Sequence, residues 1–470
     1  MKTIKINLLL ILSLALIIGW SDDNDNNSEG PSDDTNQLIE ALITEVTEGS
    51  ETIWKIESAS LSNSNVTDLD VSNVFNIADD EFIFKTVANS QTIALEHKQG
   101  NDINENATNI NDFLLDFYKS SDNSSLSISD IANKIFSNNT KMFTYNSNSS
   151  ISAQFSFEGG AMLTMDLRPK AITDYASPVS GLNFTEVTTI QKNFGLGTTG
   201  FTGANQNNSL FIAFRDGSIA SVYKYDLNTS TLTENNLDPN SDFITKKALI
   251  VNNKLKVFGA SYVTTYNLDI QNTPTFANHG LGLTRFGFTT LNEDIYFVGG
   301  DIEIPGDKIR VYNETTNNPQ VVATLPTPKA WAASEIVDNK LYIFGGQTGF
   351  NPGAENPESL SYIYNFDDNN FTTFNLPKEL FASYATRFEN LIYVAGNVAI
   401  DNDNDGVFED YDNFFGVYNI LDDSFTEIIT DLDNSGTNTI KGITVFNNKI
   451  YALYGDVSGG TTTKIMSANL

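Results

Sequence analysis

The residues from Asp401 to Asp412 combine side-chain types and spacing that suit a hard cation. The run reads Asp401-Asn402-Asp403-Asn404-Asp405-Gly406-Val407-Phe408-Glu409-Asp410-Tyr411-Asp412. Carboxylates fall at the first, third, fifth, ninth, tenth and twelfth places. A glycine at the sixth lets the chain turn, and the Val407 carbonyl falls at the seventh. Calcium takes about six to eight oxygen ligands, and this alternation supplies them from one short loop. Asp401, Asp403, Asp405, Val407 (through its carbonyl), Glu409 and Asp412 are therefore the candidate metal ligands. A bound calcium would act structurally, ordering the 17 residues from Asn397 to Asn413. The composition, rich in Asp and Asn, also leaves open a plain acidic, solvated loop.

This run resembles the calcium loops of EF-hand and dockerin proteins. It departs from them by ending on aspartate rather than glutamate and by lacking flanking helical patterns. Other site chemistries are poorly supplied. The chain has no cysteine, which excludes disulfides, zinc–thiolate sites and cysteine nucleophiles. Its two histidines, His97 and His279, lie far apart, which argues against zinc or copper catalysis and a Ser–His–Asp triad. The charge balance narrows the partners further. With 27 basic and 59 acidic side chains the formal net charge is −32, a surface that repels phosphate backbones and anionic lipid. Nucleic acid is set aside as a partner on that ground, and a monomer is expected.

At 470 residues the chain has room for two or three domains, at about 150 residues each. Residues 1–20 have the layout of a signal peptide: Lys2 and Lys5, then an apolar run from Ile6 to Trp20 that is short for a membrane span. Residues 21–36 are polar and acidic, as in a disordered tether. Leu16-Ile17-Ile18-Gly19 before that stretch resembles the lipobox of bacterial lipoproteins, particularly surface-exposed ones of Bacteroidetes-type bacteria. Trp20 stands where those proteins carry the cysteine that is lipidated, and tryptophan has no sulfur to form the thioether. Release after cleavage near Gly19, retention of the segment as an anchor, or a cysteine-to-tryptophan change in the gene would each account for it. Export is expected, to the outer-membrane surface, the periplasm or the medium. No transmembrane domain is expected beyond this segment.

Residues 37–175 contain no repeat. Thr52–Ala59 and Glu81–Lys85 alternate as strands do, and Ser152–Phe157 with Met162–Leu167 reads as a hairpin about Gly159-Gly160. Helical spacing is predicted at 37–46, 109–119 and 128–136. A small β-rich or α+β domain follows from this mixture. The Trp54 segment and Phe75–Phe82 faintly resemble lipocalin-like domains of secreted bacterial proteins.

After residue 180 one pattern recurs. A short strand and a tight Asn/Asp turn lead into an aromatic-rich strand that ends at Gly-Gly or a degenerate version. A variable loop, a strand ending in Tyr-Asn or Tyr-Asp, a second tight turn and a last strand complete it. The clearest copy has Lys340-Leu341-Tyr342-Ile343-Phe344-Gly345-Gly346, then Tyr364-Asn365 and Phe371. The tyrosines Tyr225, Tyr266, Tyr312, Tyr364 and Tyr418 are 41, 46, 52 and 54 residues apart, the length of a four-stranded blade. The pattern resembles kelch repeats, with Phe371 and Phe425 where those usually carry tryptophan. It implies a mainly β fold: a six-bladed kelch-type β-propeller over 181–470, preceded by the small domain and the signal segment. The last copy stops at its third strand, and Phe184-Thr185-Glu186-Val187-Thr188 matches a fourth strand. A strand at 183–190 is therefore expected to complete the last blade.

In such a ring the long second-to-third loops gather on one face, where recognition is expected. Near the channel mouth Arg285, Trp331, Glu335, Tyr384 and Arg387 are the candidate ligand-binding residues. An aromatic with arginines and a carboxylate suits carbohydrate stacking and hydrogen bonding, though ordinary blade packing would place the same types there. The reading is an exported binding or scaffold protein for glycans or protein partners. The alternative is a sugar-active enzyme. Galactose-oxidase-like proteins need tyrosine and histidine copper ligands and a cysteine cross-link, and no cysteine with only two histidines argues against them here. Sialic-acid mutarotase-like proteins need only arginines and a carboxylate on a six-bladed ring.

Overall fold

Alternation between buried and exposed residues organises nearly every strand of this chain. A computed structural model describes residues 51–62, 69–70, 81–86, 93–98, 141–145, 150–156 and 162–470. Within the last span 197–198, 205–207, 217–218, 239–246, 252, 292–293, 301–304, 314–318, 350–355, 404–407, 409, 434–436 and 457–460 are excepted. The export segment, the tether and the three stretches of expected helix lie outside the described residues. The described chain is mainly β, without an α-helix, and no helix in it is long and apolar enough to cross a membrane. It divides into two compact units, Met1–Asp174 and Tyr175–Leu470.

The first unit is one antiparallel sheet. Its strands are β1 (Glu51–Ser62), β2 (Leu69–Asp70), β3 (Glu81–Thr86), β4 (Ile93–Lys98), β5 (Lys141–Tyr145), β6 (Ile151–Ser156) and β7 (Met162–Pro169). They run in the order β4-β3-β1-β7-β6-β5, with β2 against β1. Leu163, Met165 and Leu167 alternate inward on β7, where they stand opposite Leu61, Ala59 and Ile56 of β1 across the pair. The step from Ile56 to Ala59 breaks strict alternation because a bulge lies between Ile56 and Ser58. Beyond β7, Arg168 holds Asp174 with both guanidinium nitrogens at 2.5 and 2.6 Å, a bidentate pair that fixes the end of the unit.

The second unit is built of consecutive antiparallel meanders. The first comprises β8 (Gly181–Leu182) and β9 (Thr185–Ile190), then β10 (Gly200–Ala204), β11 (Ser209–Asp216), β12 (Ile219–Asp226) and β13 (Thr231–Asp238), of which β10–β13 form a four-stranded sheet. The next is β14 (Lys247–Val251), β15 (Lys254–Phe258), β16 (Tyr262–Tyr266) and β17 (Thr275–Asn278). A third is β18 (Gly287–Leu291), β19 (Asp294–Val298), β20 (Gly306–Tyr312) and β21 (Gln320–Lys329). A seven-stranded sheet follows: β22 (Ala333–Val337), β23 (Lys340–Phe344), β24 (Glu358–Asn365), β25 (Asn370–Phe388), β26 (Leu391–Ile400), β27 (Asp410–Asn419) and β28 (Ser424–Glu427). The long β25 pairs with β24 in its first half and with β26 in its second, so it serves two four-stranded groups. After β29 (Ile429–Thr430), the last sheet is β30 (Asn438–Phe446), β31 (Lys449–Asp456) and β32 (Thr463–Asn469), completed by β9 from the start of the unit. Just before β9, β8 lies parallel to β29.

Turn chemistry explains the tight connections. Asp338 and Asn339, and Asn447 and Asn448, have φ of 45°, 61°, 48° and 54°, the left-handed pair that a two-residue hairpin turn requires and that Asn and Asp tolerate. The seven-residue spacing from Tyr364 to Phe371 and from Tyr418 to Phe425 makes each pair cross-strand neighbours over a short turn. The Tyr364 and Phe371 rings are 4.8 Å apart, and each tyrosine hydroxyl donates to its own turn, Tyr364 to Asn369 and Tyr418 to Asp423. Gly345 and Gly346 have φ of 56° and 84°, and a Cβ on Gly346 would lie 2.7 Å from the Ala330 carbonyl oxygen. Only glycine fits that corner.

The core of the second unit lies between sheets. One cluster joins Phe211 and Ala213 of the first sheet to Ala248 and Val257 of the second. Corresponding clusters join each sheet to its successor. A further cluster packs Phe446, Tyr451 and Leu453 of the last sheet against Phe201, Leu210 and Ile212 of the first. The recurrent tyrosines Tyr266, Tyr312, Tyr364 and Tyr418 are all buried in these clusters.

Candidate functional site

The first strand of every four-stranded group contributes to a single cavity of about 160 Å³. Phe201 comes from β10, Lys247 from β14, Thr289 from β18, Ser334 and Glu335 from β22, Tyr384 from β25 and Ile443 from β30. The register explains why space remains there. Opposite Ala213, Phe258, Val298, Phe344, Ala395 and Leu453 of the second strands stand Gly200, Lys247, Gly287, Ala333, Tyr384 and Gly442. Small residues let neighbouring first strands approach closely: a Cβ on Gly200 would meet the Ala248 backbone nitrogen at 2.6 Å. Lys247 and Tyr384 are the two long side chains at that level.

Burial sets the electrostatics of this cavity. Protein surrounds the Glu335 carboxyl and pushes its pKa up to about 8, against the smaller opposing effects of the Arg387 charge and the Thr289 hydroxyl at 3.5 Å. Burial also lowers the Lys247 ammonium to about 8. Its Nζ lies 5.6 Å from the centre of the Tyr384 ring, within cation–π range. At neutral pH the cavity thus holds a carboxylic acid able to donate a hydrogen bond and an ammonium able to hold an anion. Two groups that titrate near neutrality in one cavity are also the equipment of proton transfer.

Two other buried lysines show what a purely structural lysine does in this fold. Lys329 donates to the carbonyl oxygens of Gly345 at 2.9 Å and Leu360 at 2.7 Å. Lys441 donates to the Asp456 carbonyl at 2.8 Å and to Asn193. Lys247 makes no hydrogen bond or ion pair among the described residues. Ser334 beside it is 5% exposed, and its hydroxyl is buried with no hydrogen-bond partner among the described residues.

The five residues expected to bind ligand separate into three places. Glu335 and Tyr384 wall the cavity. Arg285 and Trp331 form a stack of their own, with the guanidinium 4.6 Å from the centre of the indole. Both have left-handed backbone, φ 56° and 52°, and the Trp331 N–H donates to the Arg285 carbonyl at 2.6 Å. Trp331 then meets Phe381 at 5.1 Å, and Phe381 meets Tyr411 at 5.7 Å and Phe408 at 6.4 Å. Arg387 is exposed, does not line the cavity, and spends its Nε on the Glu389 carbonyl at 2.6 Å. Lys247, Thr289 and Ser334 were absent from the sequence-based set. Aligning the first strands would have flagged Lys247, the one charged residue at a position otherwise glycine, alanine or tyrosine.

The acidic run sits on a longer hairpin than its sequence suggested. Asn397–Ile400 pair with Asp410–Asn413, so the connection spans only 401–409 rather than the whole of 397–413. Continuing the β26–β27 ladder satisfies backbone groups that a free loop would leave to water. Asp412 is consequently a strand residue opposite Val398, and the Asn402 amide donates to Asp410 at 2.8 Å. Asp405, Val407 and Glu409 lie outside the described residues, among which no group of three or more His, Asp or Glu could hold a metal. His279 is buried against Phe297 and Tyr312, where burial lowers its pKa to about 4 and keeps it neutral and structural. Compared with models of known protein families and with curated proteins, the chain matches none.

Proposed function

We propose that residues 181–470 form a six-bladed kelch-type propeller and that the protein is an exported binding or scaffold module. The convergence of all the first strands on one cavity carries the propeller reading, and the cluster that packs the last sheet on the first supports its closure. From β18 onward, two-residue turns such as Asp338-Asn339 alternate with longer second-to-third connections such as 345–357. That alternation gathers the long connections on one face, where variable loops on a rigid scaffold carry recognition. The aromatic run Trp331–Phe381–Tyr411, with Arg285 stacked on it, favours a glycan on that face. A glycan array probed with wild type and Trp331→Ala tests the reading. Selective binding lost in the variant supports it; a blank array, or binding indifferent to Trp331, refutes it.

Calcium at Asp401, Asp403, Asp405, Val407, Glu409 and Asp412 is proposed with it. The ion would fix the tip of the β26–β27 hairpin, whose Tyr411 joins the aromatic run. Calorimetric titration of calcium into wild type and Asp403→Ala checks this, and no heat from wild type sinks it. A second reading, a sugar-active enzyme of the sialic-acid mutarotase-like kelch type, is favoured by Glu335 and Lys247 both titrating near 8 in one cavity. NMR measurement of sugar anomerisation with wild type and Glu335→Gln decides it.

A further inference from the structure

We infer that the central cavity is a binding site for a small monocarboxylate, anchored by Lys247 and completed by hydrogen bonds from Glu335 and Ser334. The inference goes beyond recognition on the loop-rich face and holds whether or not the protein turns a substrate over. It rests first on contrast within one molecule. Lys329 and Lys441 are buried and satisfied by carbonyl oxygens, whereas Lys247 is half-buried on the cavity wall, over the Tyr384 ring and without a hydrogen-bond acceptor among the described residues. An ammonium that is partly withdrawn from water and has no acceptor is stabilised by whatever supplies the missing negative charge. Ser334 is a second, independent sign: its hydroxyl is buried and unpartnered on the same wall.

The class of ligand follows from charge and room. Among the described residues, Lys247 and Glu335 are the only Lys, Arg, Asp, Glu or His side chains lining the cavity; Tyr384 is the remaining titratable group. β10, β18 and β30 contribute none to the wall, and Arg387 reaches Glu335 only through its field. With Lys247 charged and Glu335 protonated, the cavity carries a single positive charge, which suits a monoanion and leaves a dianionic phosphate uncompensated. A carboxylate can accept from the ammonium and from the Glu335 carboxylic acid together, bonds strengthened by charge. The volume of about 160 Å³ holds on the order of ten waters, ample for a hydroxy acid whose hydroxyl meets Ser334 or Thr289.

The pH response is the signature that a surface site would lack. As pH rises through about 8, Lys247 loses its positive charge and Glu335 gains a negative one, so both changes oppose an anion. The test is calorimetric titration of the full chain with lactate at pH 6.5 and pH 9, with chloride and inorganic phosphate as comparison ions. Lactate binding at pH 6.5, at least tenfold weaker at pH 9 and at least tenfold weaker in Lys247→Met, is the expected result. Ser334→Ala should weaken it severalfold while its melting temperature stays near wild type. Absence of lactate binding at pH 6.5, equal binding by Lys247→Met, or phosphate binding as well as lactate overturns the inference. The loop-face reading stands or falls separately, on the Trp331 variant and the glycan array.

Discussion

Removing the apolar contacts that anchor the β8–β9 segment should unfold the second unit. Phe184 is 7% exposed and packs on Phe415 at 5.3 Å, in the cluster between the last two sheets. Ile190 is 3% exposed and belongs to the different cluster that joins the last sheet to the first. Phe184→Ala should cost about 3–5 kcal/mol and Ile190→Ala about 2–5 kcal/mol, from lost transfer energy and the cavities left behind. Six residues of strand put them roughly 20 Å apart, far enough for the two losses to add. The sum, about 5–10 kcal/mol, rivals the whole stability of a typical domain, about 5–15 kcal/mol. A protein of this size should therefore lose well over about 10 °C of melting temperature. Calorimetry or circular dichroism melts of the double variant measure it. Glu186→Gln is the control: its ion pair with Lys464 at 2.9 Å is nearly half exposed on both sides, worth under about 1 kcal/mol. A double variant that melts with wild type, or no lower than the Glu186 control, would refute the idea that an N-terminal strand holds the last sheet.

Two further outcomes follow from the same geometry. Gly346→Ala places a Cβ 2.7 Å from a backbone oxygen at φ 84°, so it should cost roughly 2–4 kcal/mol by chemical denaturation; an unchanged midpoint would show that the corner can relax. Glu335 has its folded pKa raised to about 8 over an ordinary 4.5, so its contribution is intact below pH 4.5 and lost as pH rises toward 8. Glu335→Gln should then match wild type at pH 4.5 and exceed it by on the order of a few kcal/mol at pH 9, read from melts across pH; a pH-independent difference would disprove the burial effect.

Much of the strand pattern was legible because local chemistry dictates it. Asn and Asp at left-handed turn positions mark the hairpins, and the Tyr364–Phe371 spacing is a cross-strand pair in disguise. Strands at Thr52–Ala59, Glu81–Lys85 and Met162–Leu167 were likewise readable from their period of two, since each must bury one face. The site was harder. Arg285 and Trp331 are close in space because β18 and β22 begin side by side. Arg387 is only three residues from Tyr384 yet points away from the cavity, since successive strand residues face opposite sides.

Composition and spacing alone determined that this is a mainly β chain with a recurrent four-strand unit, an acidic surface and no thiol chemistry, because these depend on residue type and local period. Tertiary structure decided the rest. It set the residue-by-residue register of β9 on β32, carried the β26–β27 ladder into the acidic run, and set Lys247 and Glu335 in one cavity. Those relations lie between residues 88 or more apart in the two distant pairs, and depend on which sheets pack together. The altered acidity of Lys247 and Glu335 has the same origin: desolvation belongs to the assembled cavity, and no single strand contains it.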